Sequence, residues 1–237
     1  MKRLYLYVSF AAFFLSMSVG FAQHLDQAAR EDFIFQASEF SKLFAGRIAE
    51  EYPNVYTETY YIYSRRFIEG SLCYEGKRYQ NVFLNINAEK QQLYALAPDK
   101  RHAVVLDPLL VSELVLDGEV FVYFAQGVQP GLSAGFYSVL WDGGWRLLKY
   151  VRKKYREYVD TQIRELVRTF EVSTQYYLIK DGKIHSLSGR KSLIKALGSH
   201  KRELTRWSAP VSASFKESPD DAYVQYLRYY ASLQTPE

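Results

Sequence analysis

The chain has 237 residues, 48% of them hydrophobic and 24% charged, which excludes a disordered polypeptide and allows one domain with at most an appendage. Its single cysteine, Cys73, excludes an intramolecular disulfide, and aromatics at 16% lean toward strands. The net charge of +4 is unevenly spread: 16 of the 30 basic residues lie between Arg146 and Arg206 with few acids, a split that reads first as a solvated face.

Lys2 and Arg3 form a basic start, Leu4 to Val19 an apolar stretch, and Gly20-Phe21-Ala22 places small residues before Gln23 as a cleavage site requires. The expectation is a signal peptide over residues 1–22 and a mature protein that is exported, periplasmic or outer-membrane associated. An uncleaved anchor is the alternative, because Leu4 to Ala22 nearly spans a bilayer. No later run is apolar and long enough to cross a membrane, so no transmembrane segment is expected after cleavage.

Phe33, Ala37 and Phe40 give a helical spacing over residues 27–40, with Glu31 and Asp32 in the first turn. Lys42 to Glu50 fits a continued helix or a strand with a turn at Gly46; glycine inside a helix costs about 1 kcal/mol, which favours the turn. From Val55 the pattern becomes β. The Tyr- and Thr-rich Tyr56 to Phe67 reads as a strand ended by Gly70, and Ser71 to Ile86 as a hairpin turning at Glu75-Gly76. Gln91 to Ala97, Val104 to Leu106, Leu114 to Leu116 and Val120 to Phe124 are further strands, with a bend led by Asp107-Pro108 and a turn at Asp117-Gly118. Cys73, within strand sequence, reads as a buried small hydrophobe.

After a loop over residues 126–133 comes FYSVLWDGGWRLLKY, Phe136 to Tyr150, two apolar runs around Asp142-Gly143. A type I′ turn on that dipeptide pairs Trp141 with Gly144 and Leu140 with Trp145. Phe136, Leu140, Trp145 and Leu147 then share one face, expected in the core, while Tyr137, Val139, Trp141, Leu148 and Tyr150 share the other. A ribbon apolar on both faces needs cover on both. Tyr150 to Arg168 fits a loose helix or a long charged ribbon, and Val172 to Leu187 is a hairpin on Asp181-Gly182.

Beyond Leu187 the period becomes helical. Ser188 and Ser199 are placed to cap two short helices, with Gly198 closing the first. Ser218, Pro219, Asp220 and Asp221 start a last helix with Tyr223, Tyr226, Leu227 and Tyr230 on one face. The fold class is therefore α+β: an antiparallel β-meander, as a twisted sheet or partly closed barrel, over a β-rich domain 23–187, followed by a helical C-terminal unit 188–237 packed on it.

Gly70 to Val82, Gly135 to Gly143, Tyr176 to Lys183 and Lys191 to Leu197 together resemble an uncharacterised family of exported, signal-peptide-bearing Bacteroidota proteins, over Leu43 to Tyr230. The resemblance implies no activity. It implies an extended Leu43 to Tyr52 with a turn at Ala45-Gly46-Arg47, and a strand continuing from Tyr150 to Tyr158.

Candidate chemistry is thin. Gly131-Leu-Ser133-Ala-Gly135 matches the nucleophile elbow, but a Pro130 loop precedes it and a β-hairpin follows, where that elbow needs a strand and then a helix. His24, His102, His185 and His200 have no ligand spacing, so no metal and no cofactor is expected. Glu50-Glu51 and Asp220-Asp221 are the paired carboxylates, the second pair suited to a helix start. Arg152, Lys153, Lys154 and Arg156, with Arg190, Lys191, Lys201 and Arg202, are the candidate binding residues. If the helical unit docks beside the ribbon they converge on one basic face, suited to an acidic protein face or an anionic envelope component. If they point apart, each is a solvated edge, which is the weightier reading. Export argues against nucleic acid as a partner. The expected function is a non-enzymatic exported binding or assembly protein of the bacterial cell envelope. The alternative is a hydrolase of envelope polymers whose acid pair the sequence does not reveal.

Overall fold

The computed structural model describes residues 42–50, 52, 56–162, 164–207 and 214–234, and the chain divides into two compact units, Met1–Ala45 and Gly46–Glu237. The leader and the helix expected over residues 27–40 lie outside the described residues. In the first unit residues 42–45 are described, a helical turn in which the Ala45 N–H donates to the Lys42 carbonyl at 3.2 Å.

The second unit runs β1 (Arg47–Ile48), β2 (Ile68–Tyr74), β3 (Lys77–Asn87), β4 (Gln92–Leu96), β5 (Ala103–Leu106), β6 (Val111–Leu116), β7 (Glu119–Phe124), β8 (Gly135–Asp142), β9 (Arg146–Asp160), β10 (Glu165–Lys180) and β11 (Lys183–Leu187). Helices α1 (Arg190–Leu197), α2 (Lys201–Arg206), α3 (Ser214–Glu217) and α4 (Pro219–Gln234) follow. All strands pair antiparallel in one open sheet, in the order β1-β5-β4-β3-β2-β6-β7-β8-β9-β10-β11. Strands first and helices last is the α+β order expected. The sheet is not closed, since β1 and β11 are its edges. Nor is it one meander: β2 to β5 run one way from β2, β6 to β11 run the other, and the β2–β6 pairing joins the halves.

That order forces curvature. Residues 107–110, mostly a short 3₁₀ turn capped by the Asp107 carboxylate, connect β5 to β6 although three strands lie between them. Four strand spacings on a flat sheet cover about 19 Å, whereas this link reaches no more than about 15 Å. The five strands must therefore roll. Their concave side collects Leu84, Ile86, Leu93, Ala95, Leu106 and Leu116, all at most 2% exposed.

The opposite side of β3 and β4 carries Asn85, Asn87 and Tyr94, also buried. What covers them is the stretch 56–67, which is not a strand. It makes one isolated bridge to the sheet, Tyr61 to Asn87, with further bonds from the Thr57 N–H to the Arg168 carbonyl and from Lys153 to the Thr59 carbonyl. β2 pairs with β3 only as far as Leu84, so the β3 edge left free beyond it offers this β-prone segment room for one bridge and no ladder. Asn85 Nδ2 fastens it, donating to the carbonyls of Ser64 at 3.0 Å and Arg66 at 2.9 Å. Gly70, read as a strand end, sits inside β2. Cys73 is half-exposed rather than buried.

The Phe136 to Tyr150 hairpin forms with a shifted register. Asp142 pairs with Arg146 and Trp141 with Leu147, and a bulge between Val139 and Trp141 restores Tyr137 opposite Tyr150. Gly144, at φ +79°, supplies the left-handed residue that Gly143 was expected to supply. The extra residue turns Trp141 onto the helix-covered side. There Leu147, Tyr176, Leu178 and Leu187 meet Leu193, Leu197, Leu204, Tyr223, Tyr226, Leu227 and Tyr230 of the helices, with Leu140, Trp141 and Trp145 half-buried around them. Tyr137, Leu148, Tyr150 and Tyr177 make a second cluster on the other side. Of the four expected core residues, Phe136 and Leu147 are buried and Leu140 and Trp145 lie at the margin. Leu147→Ala is expected to cost about 2–5 kcal/mol and Leu140→Ala about 1–2 kcal/mol in urea unfolding. Equal costs would show that the bulge does not move Leu140 outward.

Neither short helix takes its expected cap. Gly189 holds the position before α1, with Ser192 Oγ accepting the Ser188 N–H at 2.8 Å, and His200, left-handed at φ +53°, holds that before α2. Gly198 closes α1 and Pro219 opens α4 as read, and Tyr223, Tyr226, Leu227 and Tyr230 are buried together. Among the described residues no helix is long and apolar enough to cross a membrane.

Candidate ligand-binding cleft

The antiparallel ribbon of β9 and β10 settles where the basic residues go. Strand alternation puts Leu147, Lys149, Val151 and Lys153 on the helix-packed face and Arg152, Lys154 and Arg156 on the other. Lys153 is 5% exposed, its Nζ donating to the Thr59 carbonyl at 2.8 Å, and burial lowers its pKa. Arg156 is paired with Glu171 at 2.8 Å. Arg190 and Lys191 open α1 and Lys201 and Arg202 open α2, helices that pack on the side away from Arg152 and Lys154. The eight side chains are thus spread over a buried position, an exposed ribbon face and two helix starts.

Other candidates resolve as scaffold. Ser133 is an exposed loop residue whose carbonyl accepts from the Tyr137 hydroxyl at 2.8 Å. Ser138, 2% exposed, lies directly opposite Lys149, but Lys149 is ion-paired to Asp220 at 2.5 Å, and Ser138 donates to Glu119 at 2.7 Å. A lysine held beside a carboxylate is no base for a serine. This cluster, with the Tyr176 hydroxyl donating to Asp220 at 2.6 Å, ties the start of α4 to the sheet. Among the described residues no group of three or more His, Cys, Asp or Glu side chains is placed to hold a metal.

What the sheet does build is a cleft of about 430 Å³ beside β4 and β5. Its floor is Tyr94 and Leu96 of β4 with Ala103 of β5, one wall is Tyr60, Tyr61 and Phe67, and the strand end Ile48-Ala49-Glu50 closes one side. The β4–β5 turn supplies Lys100, Arg101 and His102 at the mouth. Each part has a local cause. Tyr94 is on the Asn85 side because the two are directly paired. The wall stands because Asn85 and the Tyr61 bridge hold the 56–67 stretch to β3. The turn is fixed by the Ala97 N–H donating to the His102 carbonyl at 2.8 Å and the Arg101 N–H donating to Asp99 Oδ1 at 3.0 Å.

The rings are contiguous. Tyr60 and Tyr61 centroids are 4.4 Å apart, Tyr61 and Phe67 5.6 Å, and Tyr61 and Tyr94 6.0 Å with their planes at 89°. Tyr52 continues the line, 4.2 Å from Tyr60 and 5.3 Å from Phe170 of the ribbon. The Tyr94 hydroxyl accepts from Asn87 Nδ2 at 3.0 Å and donates to Gln92 Oε1 at 3.2 Å, and burial raises its pKa. It is a rigid, neutral floor.

The charges are asymmetric. Glu50 is the one carboxylate among the lining residues, and it is engaged by Lys90 at 3.1 Å and Arg47 at 3.7 Å; Lys90 holds its carboxyl below the usual range. Asp99, behind the mouth, is kept low by the Arg101 backbone N–H first and then by His102, whose Nδ1 lies 3.1 Å away. Lys100 Nζ sits 5.6 Å over the Phe83 ring. Arg101 is exposed and has no ion-pair partner among the described residues. The cleft therefore offers contiguous aromatic rings inside and the cations of Lys100 and Arg101 at its mouth, and its one acid is ion-paired.

Sequence reasoning missed this site, because its parts come from three separated stretches. The usable signal is Asn85 and Asn87, two amides alternating with the apolar Leu84 and Ile86 at the end of β3. No family model, no curated protein and no solved structure matches this chain.

Proposed function

We propose that the protein is a non-enzymatic exported binding protein of the bacterial cell envelope, and that the cleft over β4 and β5 takes its ligand. The observation that carries this reading is the cleft itself: about 430 Å³, walled by Tyr60, Tyr61 and Phe67 and floored by Tyr94. Ligand sites are concave, ring-lined and equipped with a few placed polar groups, in this range of volume. The apolar stretch Leu4 to Val19 behind Lys2 and Arg3 supports export. A hydrolase acting on envelope polymers needs two carboxylates facing each other across the scissile bond. The lining residues supply Glu50 alone, bound to two cations.

The test is site-specific photocrosslinking of the full chain in intact cells, with the reactive side chain at position 48, a lining residue 60% exposed, or, as a control, at position 77 on the β2–β3 turn. Capture of one envelope component from position 48 and not from 77, abolished when Ala103→Trp fills the floor, is the expected result. Equal capture from both positions, or capture indifferent to Ala103→Trp, overturns the reading.

A further inference from the structure

We infer that the ligand of this cleft is an acidic sugar unit, a carboxylated saccharide carried on an envelope glycan. This deepens the preceding proposal and rests on it.

Three features select that chemistry. First, the contiguous tyrosine and phenylalanine rings, inclined at 39° and 67° to their neighbours, offer ring surface to the C–H face of a pyranose, while the volume of about 430 Å³ suits one or two sugar rings. Second, the polar groups sit at the mouth and not in the depth. The one lining acid is taken by Lys90 and Arg47, and the Tyr94 hydroxyl is taken by Asn87 and Gln92. A ligand is thus held inside by ring contact and oriented outside by charge. Third, Arg101 presents its guanidinium to solvent beside Lys100, with Asp99 already turned to the Arg101 N–H and to His102. A planar guanidinium with no ion-pair partner among the described residues matches a carboxylate in two-point geometry, which a neutral sugar lacks.

An acyl chain fits less well, because Lys100 and Arg101 would set charge against it at the mouth. A long acidic protein face fits the mouth but leaves the ring wall uncovered. Lys100, Arg101 and His102 are all exposed, so a sugar seated here stays continuous with chain outside the cleft.

The test titrates the full chain with a tetragalacturonide and with its carboxyl-reduced, uncharged counterpart, following backbone amide NMR shifts and heat of binding. The tetragalacturonide is expected to shift residues 100–102 and Tyr94, to bind at least about fivefold more tightly than the uncharged form, and to weaken with added salt. Arg101→Gln is expected to remove most of that preference. Tyr60→Leu is expected to weaken both sugars about three- to tenfold. Equal affinity for the two sugars, a preference that survives Arg101→Gln, or no binding of either sugar overturns the assignment. None of these outcomes touches the position-48 crosslinking result, which leaves Arg101 in place, so a cleft that captures a different ligand is separable from a cleft that captures nothing.

Discussion

Gly70→Ala is expected to lower stability by about 3 kcal/mol, the upper end of what one added methyl costs in a packed site. Gly70 lies in β2 between Val82 of β3 and Leu116 of β6. A Cβ there would stand 2.5 Å from the Val115 carbonyl oxygen, with Leu84 Cδ1 at 3.4 Å and Leu116 Cδ1 at 3.5 Å behind it. A side-chain obstacle rotates away, but a carbonyl inside a strand does not, so β2 and β6 must separate. Among the described residues that is the one strand pairing between the two halves of the sheet, which are otherwise tied by bonds such as that from the Lys153 N–H to the Ala88 carbonyl. Urea unfolding reads the loss, and a melting temperature lower by about 6–12 °C is the thermal equivalent for a chain this size. Amide exchange should quicken in β6 before β9. The control is Gly76→Ala, at φ +76° in the β2–β3 turn with open space around it, where only about 1 kcal/mol of backbone strain is at stake. A Gly70→Ala cost no larger than the Gly76→Ala cost would mean that the β2–β6 approach is looser than 2.5 Å implies.

The same physics explains which parts of the fold were legible. Glu75-Gly76, Asp117-Gly118 and Asp181-Gly182 each adopt two consecutive positive φ angles, as acid–glycine turns in hairpins should. Asp142-Gly143 does not, because a second glycine follows it and the left-handed residue moves to Gly144. A local rule decides a turn only when one placement of the glycine is on offer. Strand composition identified Tyr56 to Phe67 as β-prone, yet a strand needs a free edge, and which edges are free is a property of the whole order. The ribbon from Tyr150 was ambiguous for a related reason: its alternation of apolar and basic residues fades where neither face is covered. Lys153 shows the limit most sharply. It stands between Arg152 and Lys154 in a basic run, and period two alone says that it faces away from both. Only the 56–67 stretch, docked by Asn85, tells which side is buried. The cleft needed all of these placements at once, and none is local.

Above pH 10 the protein is expected to lose stability steeply, by at least about 4 kcal/mol at pH 11, through buried and half-buried tyrosines that include Tyr137, Tyr176 and Tyr223 beside Tyr63, Tyr94 and Tyr150. Tyr137, Tyr176 and Tyr223 are 0%, 8% and 2% exposed. Burial is the first cause of a raised pKa in each, carried to about 12 in Tyr223, and Tyr176 is raised further by donating its hydroxyl to Asp220. Unfolded, a tyrosine titrates near 10. Between that value and the raised folded one, the native state binds more protons than the unfolded state, so stability falls as pH rises. One pH unit into this window each group forfeits about 1.4 kcal/mol. Lys153 acts in the opposite sense: its folded pKa is lowered, so its burial penalty is full at neutral pH and is relieved as pH rises toward its unfolded value near 10.4. Its contribution is complete by then and is outnumbered. Urea unfolding at pH 8, 9.5 and 11 should therefore give a midpoint that changes little at first and then drops. Tyr223→Phe should recover about 1.4 kcal/mol of the drop, since phenylalanine keeps the contact with Tyr176 at a centroid distance of 4.7 Å and has no proton to lose. Tyrosinate absorbance adds an independent reading. In the folded chain part of it should be held back and then released at the unfolding midpoint. A smooth rise centred at pH 10 for every tyrosine, with the urea midpoint unchanged to pH 11, would show that water reaches these hydroxyls and that the docking of α4 on β9 and β10 through Asp220 is not the dry contact its burial describes.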